Sequence, residues 1–174
     1  IQSGDTIQVL SILDRKEGII TLKGHVDREG AYQWQPGMHL VDILPPKGKL
    51  KPGTDLSYTL VSRVNPRDGR ISTMTVRLDR AMADPSSPDN LRLKPKDTVV
   101  VFSHGRTQLN KRENSLSEVV KQLHEQARFG HSEQLITLNG HVRFPGIYPY
   151  SIGMGLRELI HAAGDLQPNA DLDY

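Results

Sequence analysis

Two short runs, Ile19 to Val26 and Gly30 to Trp34, are rich in β-prone residues and are parted by the polar turn Asp27-Arg28-Glu29, which closes on Gly30. That spacing predicts a hairpin. Much later the pattern returns from Ile136, with Arg143-Phe144-Pro145-Gly146 as the turn, a second predicted hairpin. After Gly37 and after Gly153 the period changes from two toward three and a half. Leu156, Leu159, Ile160 and Ala163 then fall on one helical face, and Gly164 takes the place of a left-handed C-terminal residue. Leu40, Ile43 and Leu44 repeat that face, but Pro45-Pro46 must stop the earlier helix sooner. Tyr58 to Val64 and Ile71 to Leu78 alternate apolar and polar residues around Asn65-Pro66-Arg67-Asp68-Gly69, whose Asp-Gly is a hairpin signal. Asp84 to Asn90 reads as a surface loop and Thr98 to Phe102 as a buried strand. The order of hairpin, helix, hairpin, loop and strand predicts an α+β module with a mixed sheet and one helix across it.

Residues Ile20 to Tyr58 lie on residues Ile136 to Tyr174 without a gap at a constant offset (136 − 20 = 116), and 17 of the 39 positions are identical. Glycines and apolar residues that keep their places encode one fold twice, so the chain reads as a tandem of β-grasp-like modules. Between the copies, Ser115 and Glu118 form a predicted capping box, and Leu116, Val119, Val120, Leu123 and Ala127 form a stripe ending at Gly130. This spacer helix, about Leu116 to Phe129, must bury its stripe against one or both modules. A weaker echo relates Asp5 to Ser11 to Asp97 to Ser103, so Ile1 to Ser11 reads as the closing strand of an earlier copy. The second copy stops at Tyr174, which matches Tyr58, and the chain is expected to be a piece of a longer array. The expected organisation is therefore a closing strand at 1–11, a first module at 17–104, a spacer helix at 114–130 and a truncated second module at 131–174. Ile7 to Leu10 is expected to pair with a strand, either within one chain or by exchange between chains.

Composition changes this picture little. Hydrophobic residues make up 36% and charged residues 24%, and a net charge of +2, interspersed along the chain, forms no basic stripe for nucleic acid. The longest strongly apolar run is Val99 to Phe102, far short of a membrane helix. With no Cys there is no disulfide, thiolate metal site or Cys nucleophile. No nucleophile elbow, phosphate loop or His-Glu-x-x-His is present, and the seven His never fall at metal-ligand spacing, so neither catalysis nor a cofactor or metal is expected. His25 and His141 keep one place in both copies; each either bonds a neighbouring loop or serves a ligand or pH-sensing role. Asp171 and Asp173 either pair for acid-base work or belong to a solvated turn. Tyr32 with Trp34, and Tyr148 with Tyr150, lie two apart on a strand. Such rings either pack in a core or interface, or offer a face on which a sugar stacks.

Gly140, Val142, Pro145, Gly146, Tyr148, Gly153, Ala162, Ala163 and Gly164 together resemble the signature of the soluble-ligand-binding β-grasp (SLBB) domain. Gly24, Val26, Gly30, Tyr32 and Gly37 carry the same structural positions in the first copy. Asp165 stands where a second Gly is usual, Glu29 where Pro is usual, and Pro45-Pro46-Lys47 replaces the small-residue helix end. Tandem copies joined by a helix are similar to the periplasmic part of outer-membrane polysaccharide export proteins. The resemblance implies a non-enzymatic building block of a ring-shaped channel for capsule or exopolysaccharide. It further implies a periplasmic, outer-membrane-associated location, a homo-oligomer of the full-length parent and an inner-membrane polysaccharide co-polymerase as partner. The alternative it carries is a small-ligand or cofactor-binding β-grasp module of another envelope or redox protein.

Overall fold

The computed structural model describes residues 18–105, 109–168 and 170. The readings of residues 1–11 as a closing strand, and of Asp171, Asp173 and Tyr174, lie outside the described residues. The chain is α+β, as its pattern predicts. Strand β1 (Ile19–Gly24) turns into β2 (Gly30–Gln33), a 3₁₀ turn follows at Leu40–Ile43, and β3 (Thr54–Val64) turns into β4 (Ile71–Val76). A short helix α1 (Leu78–Ala83) and a loop lead to β5 (Thr98–Ser103). The five strands make one sheet in the order β2-β1-β5-β3-β4, with β5 parallel to β1 and antiparallel to β3. Two hairpins thus flank a central strand, which is the mixed sheet of a β-grasp-like arrangement.

Local chemistry explains most of these elements. The turn between β3 and β4 is closed from both ends, Asn65 donating its N–H to the Arg70 carbonyl at 2.7 Å and Gly69 to the Asn65 carbonyl at 2.9 Å. The early helix is indeed short, a single 3₁₀ turn, because Pro45 and Pro46 have no N–H to continue it. Two expectations need correction. β4 stops at Val76, and Leu78 opens α1, whose Leu78 and Ala81 are buried three residues apart on one face. The spacer helix α2 runs Leu109–Arg128, so Ser115 sits inside it rather than capping it. Within that helix Ser117 Oγ donates to the Asn114 carbonyl at 2.9 Å, the back-bond typical of a helix interior.

The sheet buries both faces. Alternate residues of β5 point to opposite sides, Val99 and Val101 to one and Val100 and Phe102 to the other. On the first side they meet Ile20, Leu22, Leu40, Ile43 and Leu93. On the second side they meet Leu116, Val119 and Leu123 of α2. The remaining elements are the hairpin of β6 (Leu135–Leu138) and β7 (Gly146–Pro149), and helix α3 (Leu156–Ala162). Their Val142, Tyr148, Leu159, Ala162 and Ala163 join that second cluster. The spacer helix therefore packs against both segments, which share one core.

Because Leu123 is 1% exposed within this shared cluster, Leu123→Ala is expected to cost about 2–5 kcal/mol. Urea unfolding should remain a single transition shifted as a whole, whereas a variant that melts only residues 131–174 would show that the two segments do not share a core.

Candidate functional site

The two hairpins pair in corresponding registers. β1 pairs with β2 as Ile19 with Gln33, Ile20 with Tyr32, Thr21 with Ala31 and Leu22 with Gly30. β6 pairs with β7 as Leu135 with Pro149, Ile136 with Tyr148, Thr137 with Ile147 and Leu138 with Gly146, the same register 116 residues on (135 − 19 = 116). Smaller details follow that register. Val26 donates to the Gly24 carbonyl and Val142 to the Gly140 carbonyl, each at 2.9 Å. Tyr32 Oη donates to the Arg28 carbonyl at 3.3 Å and Tyr148 Oη to the Phe144 carbonyl at 2.5 Å. The carboxylate of Asp42 accepts from the His39 N–H at 2.7 Å, and that of Glu158 from the Gly155 N–H at 3.1 Å.

Surroundings differ where local structure does not. Among the described residues β1 has β2 on one edge and β5 on the other, while β6 has β7 alone. His25 is buried and its Nε2 lies 2.9 Å from the Pro52 carbonyl, whereas His141 is exposed. Leu40 is fully buried under Leu91-Arg92-Leu93, with Leu40 N–H donating to the Leu91 carbonyl and Leu93 N–H to the Met38 carbonyl, both at 2.9 Å. Its counterpart Leu156 is 51% exposed, contrary to the expected inward face, because no such segment lies over it among the described residues.

The named aromatic rings divide accordingly. Tyr148 is buried in the shared core, and Tyr32 and Trp34 are half-buried against the first core, Trp34 Nε1 donating to the Leu93 carbonyl at 2.9 Å. Tyr150 is exposed, so Tyr148 and Tyr150 do not form one open face. Of the signature positions, Val26 and Val142 are buried, Pro145 lies exposed in the β6–β7 connection, and Gly30 and Gly146 open β2 and β7. Gly37 and Gly153 occupy the equivalent turns before the helices. At Gly164 φ is +73°, and an added Cβ would lie 2.6 Å from the Phe144 ring, so the helix end tolerates only glycine.

Sequence reasoning did not find two charged hollows. One, of about 210 Å³, lies between β4 and α3 and is lined by Tyr58, Arg77, Arg80, Asp89, Arg157 and His161. Arg77 donates to Asp79 through Nε at 3.1 Å and Nη2 at 2.6 Å, and that pairing holds the Asp79 carboxyl below its ordinary range. His161 Nδ1 lies 2.6 Å from Asp165, and Glu158 is taken up by the Gly155 N–H. The other hollow, about 380 Å³, brings Arg70, Gln126, His131 and Gln134 together where α2 ends. Its Arg70 Nη1 is 3.1 Å from His131 Nδ1. Only folding assembles either one, since their residues come from elements far apart in sequence. Among the described residues no group of three or more His, Asp or Glu is placed to hold a metal ion. No helix there is long and apolar enough to cross a membrane.

Residues 135–173 match the family model of the SLBB domain. No curated protein matches the chain.

Two outcomes follow from this geometry. At Gly24 φ is +96° and an added Cβ would lie 2.1 Å from the Val101 carbonyl oxygen, whereas at Gly140 (φ +106°) nothing lies within 4 Å. Gly140→Ala should cost only the left-handed backbone penalty of about 1–2 kcal/mol, and Gly24→Ala clearly more, in paired urea melts. For Asp79 the folded pKa is depressed, so its pairing contributes above its unfolded value and is lost as pH falls through the folded one. Asp79→Asn should therefore destabilise by about 0.2–1 kcal/mol at pH 7 and have a vanishing effect near pH 2.

Proposed function

We infer that the chain comprises two copies of one β-grasp-like module joined by α2, and that it is a non-enzymatic building block of a ring-shaped channel exporting capsule or exopolysaccharide. The carrying observation is the shared register of the two hairpins, one of which lies in the segment matched by the SLBB model. SLBB domains are found in polysaccharide export proteins. On this reading the module works in the periplasm at the outer membrane, as a homo-oligomer of its full-length parent, with an inner-membrane polysaccharide co-polymerase as partner. The surface supports assembly, since Ile147, Tyr150, Ile152 and Leu156 are exposed within ten residues of one another. Tyr150, with the half-buried Tyr32 and Trp34, is where a sugar ring would stack.

The hollow at Arg77, Arg80 and Arg157 favours the second reading, a module that binds a small ligand, because its polar groups converge from two elements. Sedimentation of the protein that carries this chain, in detergent, separates the two. A closed oligomer that Ile152→Glu weakens is the expected result. A monomer that binds a small anion, with affinity lost in Arg157→Ala, would replace the channel reading with the ligand reading.

A further inference from the structure

We propose that a groove between the end of α2 and the β3–β4 turn is a saccharide-binding site, in which Phe129 is the platform for a neutral hexose ring and Asp68, Arg70, His131 and Gln134 bond its hydroxyls. Two hollows meet there. One, of about 380 Å³, lies between Arg70 and Gln134, and the other, of about 300 Å³, between Asp68 and Phe129. Both are lined by Arg70, Gln126 and His131, so they adjoin at the Arg70 guanidinium. Each is of a size that holds a small ligand, about 300–1,000 Å³. The site follows from this groove alone and does not depend on the channel reading.

Phe129 is held where it serves no core. It is 83% exposed and belongs to neither hydrophobic cluster. Its backbone is nonetheless fixed by the helix end: the Phe129 N–H donates to the Gln126 carbonyl and the Gly130 N–H to the Ala127 carbonyl, both at 3.1 Å, and Gly130 closes the turn at φ +86°. A lone exposed ring is ordinary, but this one borders a hollow walled by polar side chains. The opposite wall is fixed as well. Gln126 holds the backbone of Ile71 by its N–H and its carbonyl, and Arg70 Nε donates to Asp68 at 2.6 Å while Nη2 reaches the same carboxylate. Walls set in advance spare a ligand the cost of ordering them.

The chemistry of the polar wall selects the ligand. A hydroxyl both donates and accepts, so a site for a sugar needs partners of both kinds. The Arg70 guanidinium holds the Asp68 carboxyl below its ordinary range, which makes it an ionised acceptor at neutral pH. Arg70 Nη1 lies 3.1 Å from His131 Nδ1, and since an arginine only donates, Nδ1 accepts and Nε2–H is left as a donor. The half-buried Gln134 side chain makes no hydrogen bond among the described residues, so its amide offers an acceptor and a donor together. Charge balance disfavours other ligands. Arg70 is already paired and the negative end of the α2 dipole stands beside it, so an anion gains little. Glu133 lies 3.2 Å from His124, which leaves Asp68 as the one carboxylate among the lining residues, too few oxygens for a metal ion. A neutral hexose fits what remains, with hydroxyls at its rim and an apolar CH face for the phenyl ring.

The test titrates the full chain with cellohexaose, maltohexaose and mannohexaose as neutral probes and with hexagalacturonate as an acidic one, following amide shifts by NMR. The expected result is a saturable shift of the Gly130 and His131 amides with at least one neutral oligomer. Phe129→Ala should weaken that binding about tenfold and Phe129→Trp retain it, with the urea midpoint unchanged in both because the ring lies outside the cores. Gln134→Ala should weaken it as well. No saturable shift at these amides with any neutral oligomer overturns the proposal, and so does a shift that Phe129→Ala leaves as it was. Tighter binding of hexagalacturonate, lost in Arg70→Gln, would make the groove an anion site and overturn it too. A parent that sediments as a monomer leaves sugar binding here standing, and a failure of sugar binding leaves ring assembly standing.

Discussion

β5 holds two cores apart and together. Its Val99 and Val101 enter one core and its Val100 and Phe102 the other, so a strand of six residues commits four large side chains to burial, each worth about 1.5–3 kcal/mol. Its start is fixed by Asp97, fully buried, whose carboxylate accepts Arg63 Nε at 2.9 Å, Arg63 Nη2 at 2.7 Å and the Lys94 N–H at 2.8 Å. The Arg63 partner comes from β3, so one ion pair ties the entry of the central strand to its antiparallel neighbour. Deleting either partner would leave a buried charge without its counterpart, a loss of about 3–5 kcal/mol. The pair sets where β5 begins, and the alternation of β5 then sets what each face can pack.

The second face explains why residues 131–168 stay attached. β6 and β7 alone are a two-stranded ribbon, which is marginal in water. Their Tyr148, with Leu159 and Ala162 of α3, is buried against Tyr58 and Phe102, whose rings stack at 5.0 Å, and against the Leu116, Val119 and Leu123 stripe of α2. Gln126 adds a two-point clamp on the backbone of Ile71, donating to its carbonyl at 3.1 Å and accepting its N–H at 2.5 Å. The linker helix is thus a wall of the core it connects.

What was legible in the sequence is what short-range chemistry decides. Turn residues and period-two alternation placed both hairpins, the β3–β4 pair and β5, and Pro45-Pro46 correctly shortened the first helix. The misreadings come from signals that fit two structures. Ser115 and Glu118 three residues apart suit a helix start, but the same spacing also occurs inside a helix, and α2 extends back to Leu109. Leu78 ended an alternating run and also began a helical face with Ala81; burial of both beneath the sheet decided for α1. The exposure of Leu156 and of His141 is not a local property at all. It depends on whether another segment lies across them, and pattern along one stretch carries no record of that.

The two matching stretches of sequence separate a code for shape from a code for surroundings. Positions that set shape keep their residues: Gly24 and Gly140, Val26 and Val142, Tyr32 and Tyr148. Positions that face outward do not. Exposed Ala31 and Pro36 in the first copy become Ile147, 43% exposed, and Ile152, 91% exposed, in the second. Single exposed apolar residues are ordinary, but here two isoleucines are exposed close together where the earlier stretch carries the smaller Ala31 and Pro36, which are exposed as well. The fold alone needs neither isoleucine, since the first hairpin forms in the same register without them.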